Sequence, residues 1–209
     1  HVGMQYQLND DAMLYASFTS GFKSGGFDMR ANVSVNPQGN EPFDPETVDS
    51  YEMGFKSTLM DGRLRLNGAA FFSDYEDMQI TVQRAVGQSD FASQVINAGA
   101  SEMKGLELEA HAALTDRLTL TAVVGYIDAK FTEVEWFDPN QGKPVDVSDE
   151  WVISNTPEWS GNIGLDYSVE VGGWMTSFLA NAAYRGETHI FETPSALDED
   201  SYTLLNAGI

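Results

Sequence analysis

The chain has 209 residues, 42% of them apolar and 11% aromatic, and its 11 Lys and Arg against 32 Asp and Glu give a net charge of −21. That balance excludes a face built to neutralise nucleic-acid phosphates, and the lack of cysteine excludes a disulfide framework, a thiolate metal site or a thiol nucleophile. No uninterrupted apolar stretch approaches the roughly 18 residues of a membrane-crossing helix.

From the start of the chain the pattern is alternation. A strand is predicted near 2–8, then the polar turn Asn9-Asp10-Asp11, then a strand near 12–22. A long connection, 23–46, precedes a strand over 47–59. There Tyr51, Met53, Phe55 and Leu59 fall on one side, and Ser50, Glu52, Gly54, Lys56 and Thr58 on the other. Met60-Asp61-Gly62 is a tight turn, since Asp-Gly supplies the positive φ angles of a short hairpin. A strand over 63–84 follows, with Leu64, Leu66, Ala70 and Phe72 against Arg63, Arg65 and Asn67. After a short connection near 86–90, the strand over 91–114 sets Leu106, Leu108, Ala110 and Ala112 against Glu107, Glu109 and His111.

Leu114-Thr115-Asp116 turns into a strand over 117–131, and a long acidic connection occupies 132–156. Strands near 157–170 and 174–189 are joined by Val171-Gly172-Gly173. The connection 190–201 and a strand over 201–209 complete the chain. A helical reading fails, because Leu106 and Leu108 with Glu107 and Glu109 would scatter both classes around a helix. Short turns at one end and mostly long connections at the other predict an all-β, up-and-down antiparallel meander of about nine strands.

The apolar face must meet either a second sheet or lipid. Three features favour lipid and predict part of a large transmembrane β-barrel. Each strand has only one apolar face. Tyr167 and Trp174 flank one short turn, and Tyr126 and Trp159 flank the long connection, where interfacial aromatics belong. The strands are also long enough to cross a membrane tilted.

Reactive chemistry finds little support. Gly25-Gly26 after Lys23-Ser24 lacks the spacing of a phosphate loop. Glu107 and Glu109 face one side, which suits water or a neighbouring Arg better than acid–base work. His111 in the same row has no spaced second His for a metal site, and His189 beside Glu187 reads as a solvated loop pair. No nucleophile elbow or zinc-protease motif occurs, so no catalytic residue, metal site or cofactor is predicted. The acidic connections 132–156 and 190–201 have three readings: solvated loops, divalent-cation sites bridging to lipopolysaccharide, or a field that steers cationic substrates.

Four runs stand out in chain order. The first is Leu14-Tyr15-Ala16-Ser17-Phe18 through Gly25-Gly26-Phe27, and the second Phe43-Asp44-Pro45-Glu46 through Tyr51-Glu52-Met53-Gly54-Phe55-Lys56. The third is Asp61-Gly62-Arg63-Leu64 through Phe71-Phe72 to Tyr75, Met78 and Gln79. The fourth is Asn97-Ala98-Gly99-Ala100-Ser101 with Lys104-Gly105-Leu106-Glu107-Leu108-Glu109. Together, in this order, they resemble the C-terminal barrel of TonB-dependent outer-membrane receptors. The resemblance covers 14–110 in sequence words and 111–209 in strand rhythm.

It implies a barrel of roughly 22 strands with a plugged lumen, of which residues 1–209 supply about nine, the plug domain and terminal strands being absent. It further implies active uptake across the outer membrane of a Gram-negative bacterium, energised by the TonB complex through that plug. The ligand would be an iron–siderophore-like complex or another large nutrient. Outer-membrane lipid and lipopolysaccharide would be partners; nucleic acid would not. On this reading Arg63, Arg65, Glu107, Glu109 and Arg185 face the lumen, and Phe27, Arg30, Trp136 and Phe137 contact ligand. Two other classes stay open: a passive porin-like barrel, and a soluble all-β carbohydrate-binding module.

Overall fold

A computed structural model describes residues 1–30, 34, 40–86, 90–97, 99–138 and 143–209. Their strands are β1 (Val2–Asn9), β2 (Ala12–Lys23), β3 (Glu46–Leu59), β4 (Leu64–Glu76), β5 (Gln79–Val86), β6 (Asp90–Asn97), β7 (Ala100–Ala113), β8 (Leu118–Glu133), β9 (Glu135–Asp138), β10 (Lys143–Asp146), β11 (Trp159–Val171), β12 (Trp174–Arg185) and β13 (Tyr202–Gly208). Nine of them form one antiparallel sheet in the order β1-β2-β3-β4-β7-β8-β11-β12-β13. The meander read from the sequence is therefore present. Two two-stranded pairs, β5-β6 and β9-β10, extend from it.

Three strand limits differ from expectation. The runs 63–84 and 91–114 each break into two strands, after Glu76 and after Asn97. Asp77 has φ 54° and Gly99 φ +93°, so the chain leaves the extended conformation at both residues. At Gly99 a Cβ would run into the Glu133 carbonyl, so only glycine fits. The strand over 174–189 stops at Arg185. The short connection near 86–90 falls largely on residues outside those described.

The tight turns are where Asp-Gly and Gly-Gly put them. Met60, Asp61 and Gly62 have φ of 56°, 54° and 85°, and Gly172 and Gly173 have 62° and 85°. Val171 pairs directly with Trp174 across the second, as a two-residue hairpin with both central angles positive requires. Arg117 and Leu118 N–H groups donate to Thr115 Oγ1, at 3.1 and 3.0 Å, and hold the β7–β8 turn. All four short turns lie at one end, and the long connections lie at the other.

The register keeps the two faces separate across the sheet. One row runs Met4, Ala16, Met53, Ala70, Leu106, Tyr126 and Trp159; the next runs Tyr6, Leu14, Phe55, Gly68, Leu108 and Val124. Several of these side chains stand open: Met4 is 74% exposed, Met53 65% and Leu106 58%. An open apolar trough of about 810 Å³ crosses this face. Phe18 packs on Tyr51 and Tyr126 on Trp159, with ring centroids 5.0 and 4.8 Å apart, toward the long-connection end. One step further the same face turns charged, with Lys104 2.9 Å from Asp128 and Lys130 3.6 Å from Glu102.

Among the described residues the buried apolar cluster is small. It comprises Ile80, Phe131, Val134, Val147 and Ile153, with Met78, Ile96, Met103, Trp136, Val145 and Trp151 packed on it. It lies at the long-connection end, where Phe131 of β8 and Met103 of β7 meet the β5-β6 hairpin and the β8–β11 connection. Among the described residues the rest of the sheet has no second apolar layer.

Candidate functional site

Opposite the apolar face, every strand presents polar side chains. Tyr15 lies over Gly54, where a Cβ would come within 2.6 Å of its ring, and its hydroxyl bonds Glu52. Lys56 Nζ stands 5.7 Å from the same ring centroid. Asn67 Nδ2 donates to Glu109 Oε2 at 3.2 Å, and Arg65 stands opposite His111. Glu107 lies one step along, opposite Ala69 and Gly125. Further across, Asn181 donates to Asn162 at 2.8 Å and Asn206 to Asn181 at 3.4 Å. This is a ladder of amides and carboxylates that suits water or another polar surface.

Two of the arginines placed on this face by the sequence have local partners. Arg63 sits at the β3–β4 turn, where Nε and a terminal nitrogen donate to the Ala113 carbonyl at 3.1 and 2.9 Å. Arg185, at the other end, donates to Thr188 Oγ1 at 3.3 Å and to the Asn155 carbonyl at 3.5 Å. It thereby joins the β8–β11 connection to the β12–β13 connection. Backbone bonds reinforce that joint, from Val152 N to Glu192 O at 2.7 Å and from Asn155 N to His189 O at 2.8 Å.

The four residues expected to contact ligand are dispersed among the connections. Phe27 is 63% exposed between β2 and β3. Arg30, close by, forks onto Asp28, with Nε 3.1 Å from Oδ1. The guanidinium holds the Asp28 carboxyl below its ordinary value. Trp136 packs at 5.3 Å from Trp151, whose ring also meets Phe131 edge-on at 6.4 Å. Phe137 stands opposite Pro144 in the β9-β10 pair, and its side chain lies outside the described residues.

The acidic connections are internally bonded. Asp146 Oδ1 accepts from the Val134 and Ser148 N–H groups at 3.1 and 2.9 Å, which closes the base of the β9-β10 excursion. Asp198 accepts from His189 Nδ1 at 2.8 Å and from the N–H groups of Ile190 and Ser195 at 3.2 and 2.9 Å. The His189 partner is thus Asp198, nine residues on, and not Glu187; sequence adjacency gave no sign of it. The imidazole and the two N–H groups hold the Asp198 carboxyl down to about 2. Among the described residues no three His, Asp or Glu converge as a metal cage. A polar pocket of about 460 Å³, lined by Asp128, Glu158, Tyr184 and His189, opens between the two joined connections.

The geometry is matched by known proteins. The family model described as TonB dependent receptor-like, beta-barrel matches residues 1–209. The metal-pseudopaline receptor CntO of Pseudomonas aeruginosa is 28% identical over 208 residues, which are 98% of this chain and 26% of that protein. The probable TonB-dependent siderophore receptor PiuA of Acinetobacter baumannii is 23% identical over 136 residues, 63% of this chain and 17% of that protein. Among solved structures, the ferric yersiniabactin uptake receptor FyuA from Yersinia pestis superposes with a TM-score of 0.74 at 19% identity, over 98% of this chain and 28% of that one. The chain thus spans about a quarter of the length of CntO, and less of PiuA.

Proposed function

Because the chain belongs to the TonB-dependent receptor β-barrel family, a family of the Gram-negative outer membrane, we propose that it works as the barrel sector of an energy-coupled importer of metal chelates. The observation that carries the reading is the division of labour in the sheet. A continuous apolar face is bordered by aromatics and then by charge, as a lipid-facing wall requires. Its polar reverse, with Arg65, Glu107 and Glu109, lines the interior and faces the plug. Arg63 and Arg185 stand at its two ends. The long connections at one end gather the ligand. Phe27 offers it an open aromatic face, while Arg30 and Trp136 shape the surface around it.

The ligand class follows from the relatives, whose names specify metal-pseudopaline, siderophore and ferric-yersiniabactin complexes. Capture at the connections is followed by passage through the lumen when TonB acts on the plug. Lipopolysaccharide meets the charged border around Lys104 and Lys130. The role is transport, without covalent chemistry. The test is uptake of radiolabelled ferric, nickel and zinc chelates by cells that express the full-length receptor, with and without TonB. TonB-dependent accumulation of one of them is expected. Passage that persists without TonB would mark a passive barrel and overturn the proposal.

A further inference from the structure

The β2–β3 connection and the β5-β6 hairpin leave the sheet at the same end, and polar side chains bind one to the other. Asn97, the last residue of β6, presents its amide to the backbone of Asp44. Its Oδ1 accepts from the Asp44 N–H at 2.8 Å, and Nδ2 donates to the Asp44 carbonyl at 3.0 Å. The same Nδ2 donates to the Asp77 carbonyl at 2.7 Å, across the break between β4 and β5. One side chain thus supplies the pair of bonds that a neighbouring strand would have supplied.

Gln79 stands opposite Asn97 in the hairpin register. Its Nε2 lies 3.1 Å from the Ser24 carbonyl, 3.0 Å from that of Asp44 and 3.4 Å from that of Lys23. Its N–H donates to Glu46 Oε2 at 2.8 Å. Lys23 and Glu46 are the last pair of the β2–β3 ladder, so the two amides close the ladder where its own strands stop. Farther out, Asp28, whose side chain is 4% exposed, accepts from the Val95 N–H of β6. The local charge explains the choice of amides. Asp28, Asp44 and Glu46 are already acidic, and a neutral amide can donate and accept there without adding a like charge.

The break in the hairpin makes this reach possible. Positive φ at Asp77 and Gly99 offsets β5-β6 from the main sheet, which brings its base against the neighbouring connection. On its other flank, Met78, Ile80 and Ile96 pack with Val134, Val147 and Ile153 of the β8–β11 connection.

We propose that Asn97 and Gln79 are positioning residues that tie Ser24 and Asp44, at the two roots of the β2–β3 connection beside Phe27 and Arg30, to the base of the β5-β6 hairpin, so that these parts move as one body at the mouth of the barrel. Its sense in ligand capture rests on the import reading above; the clasp itself does not. A ligand held by one segment then displaces both.

The test uses the full-length receptor in detergent, with nitroxide labels at Pro42→Cys and Thr81→Cys, two exposed positions outside the clasp. The distance distribution between them is expected to be single and narrow. It should broaden in Asn97→Ala combined with Gln79→Met. Amide exchange at Asp44 and Val95 should rise about tenfold, the scale set by losing ordinary hydrogen bonds, while exchange over 106–113 stays unchanged. If the double variant fails to assemble, Gln79→Met alone must give a smaller broadening of the same kind. An unbroadened distance and unchanged exchange in an assembled variant would overturn the proposal. A receptor that imports none of the chelates would sink the function above and leave this readout standing.

Discussion

Consider an arginine placed on the apolar face at Leu108. Leu108 is 43% exposed, lies between Gly68 and Val124 in the register, and is four residues below the Lys104–Asp128 pair. At ~3.3 Å per residue and a tilt of ~45°, that is roughly 9 Å below the charged border. The apolar band of such a barrel is ~25 Å tall, so Leu108 approaches its midplane. L108R should therefore cost about 2–4 kcal/mol, on the order of 30- to 1,000-fold in the folded ratio. The adjacent Glu109 faces the other way and would lose one bond, from Asn67. E109A should cost at most about 1 kcal/mol. Leu114, at the turn, gives the depth control, since L114R should cost only about 0–1 kcal/mol near the interface. The assay is denaturant unfolding of the full-length receptor in phospholipid vesicles, followed by tryptophan fluorescence. If L108R matches wild type, or L114R costs as much as L108R, the lipid-facing assignment fails.

Other predictions concern the sheet and its connections. Gly105 is overlaid by Phe71, whose ring would lie 2.6 Å from an added Cβ, with the Tyr126 carbonyl also in contact. Gly105→Val should lower stability by about 1–3 kcal/mol in the same unfolding assay, where a neutral result would contradict the packing. Gly173 has φ +85° with open space around it, so Gly173→Ala should cost only the backbone term, about 1–2 kcal/mol. For pH, the Asp198 carboxyl is held down to about 2 by His189 and two N–H groups. A carboxyl lowered on folding stabilises above its unfolded value and loses that contribution as pH falls through its folded one. The 186–201 connection should therefore stay protected at pH 4 and loosen as pH approaches 2, read by amide exchange at Ile190 and Ser195. D198N should be loose throughout, and equal protection in both would refute the tether.

Much of the fold could be read from the sequence, because side-chain alternation is a local property. Ser50 to Leu59 separates its two classes whatever lies next to it, and Asp61-Gly62 and Gly172-Gly173 announce turns by their own backbone preference. The breaks at Asp77 and Gly99 were not legible. Alternation survives a change of direction, and only the neighbouring Glu133 carbonyl shows why position 99 must be glycine. Side-chain partnerships across long separations were equally hidden. Asn97 was visible within the run Asn97-Ala98-Gly99, yet its partner Asp44 lies 53 residues away. Nothing in the sequence sets Trp136 beside Trp151, 15 residues on, whose ring lies 5.3 Å away.

The central claim is that one face of this sheet meets lipid and the other an aqueous interior. The chain contains no cysteine, so single cysteines along β7 report cleanly once any elsewhere in the receptor are removed. Positions 106 through 111 would be substituted one at a time in the outer membrane of living cells. Each would then be probed with a water-soluble maleimide and a lipid-confined nitroxide quencher. Strict alternation is expected, with quenching at 106, 108 and 110 and aqueous labelling at 107, 109 and 111. Aqueous labelling at all six positions, or an alternation of the opposite phase, would contradict it.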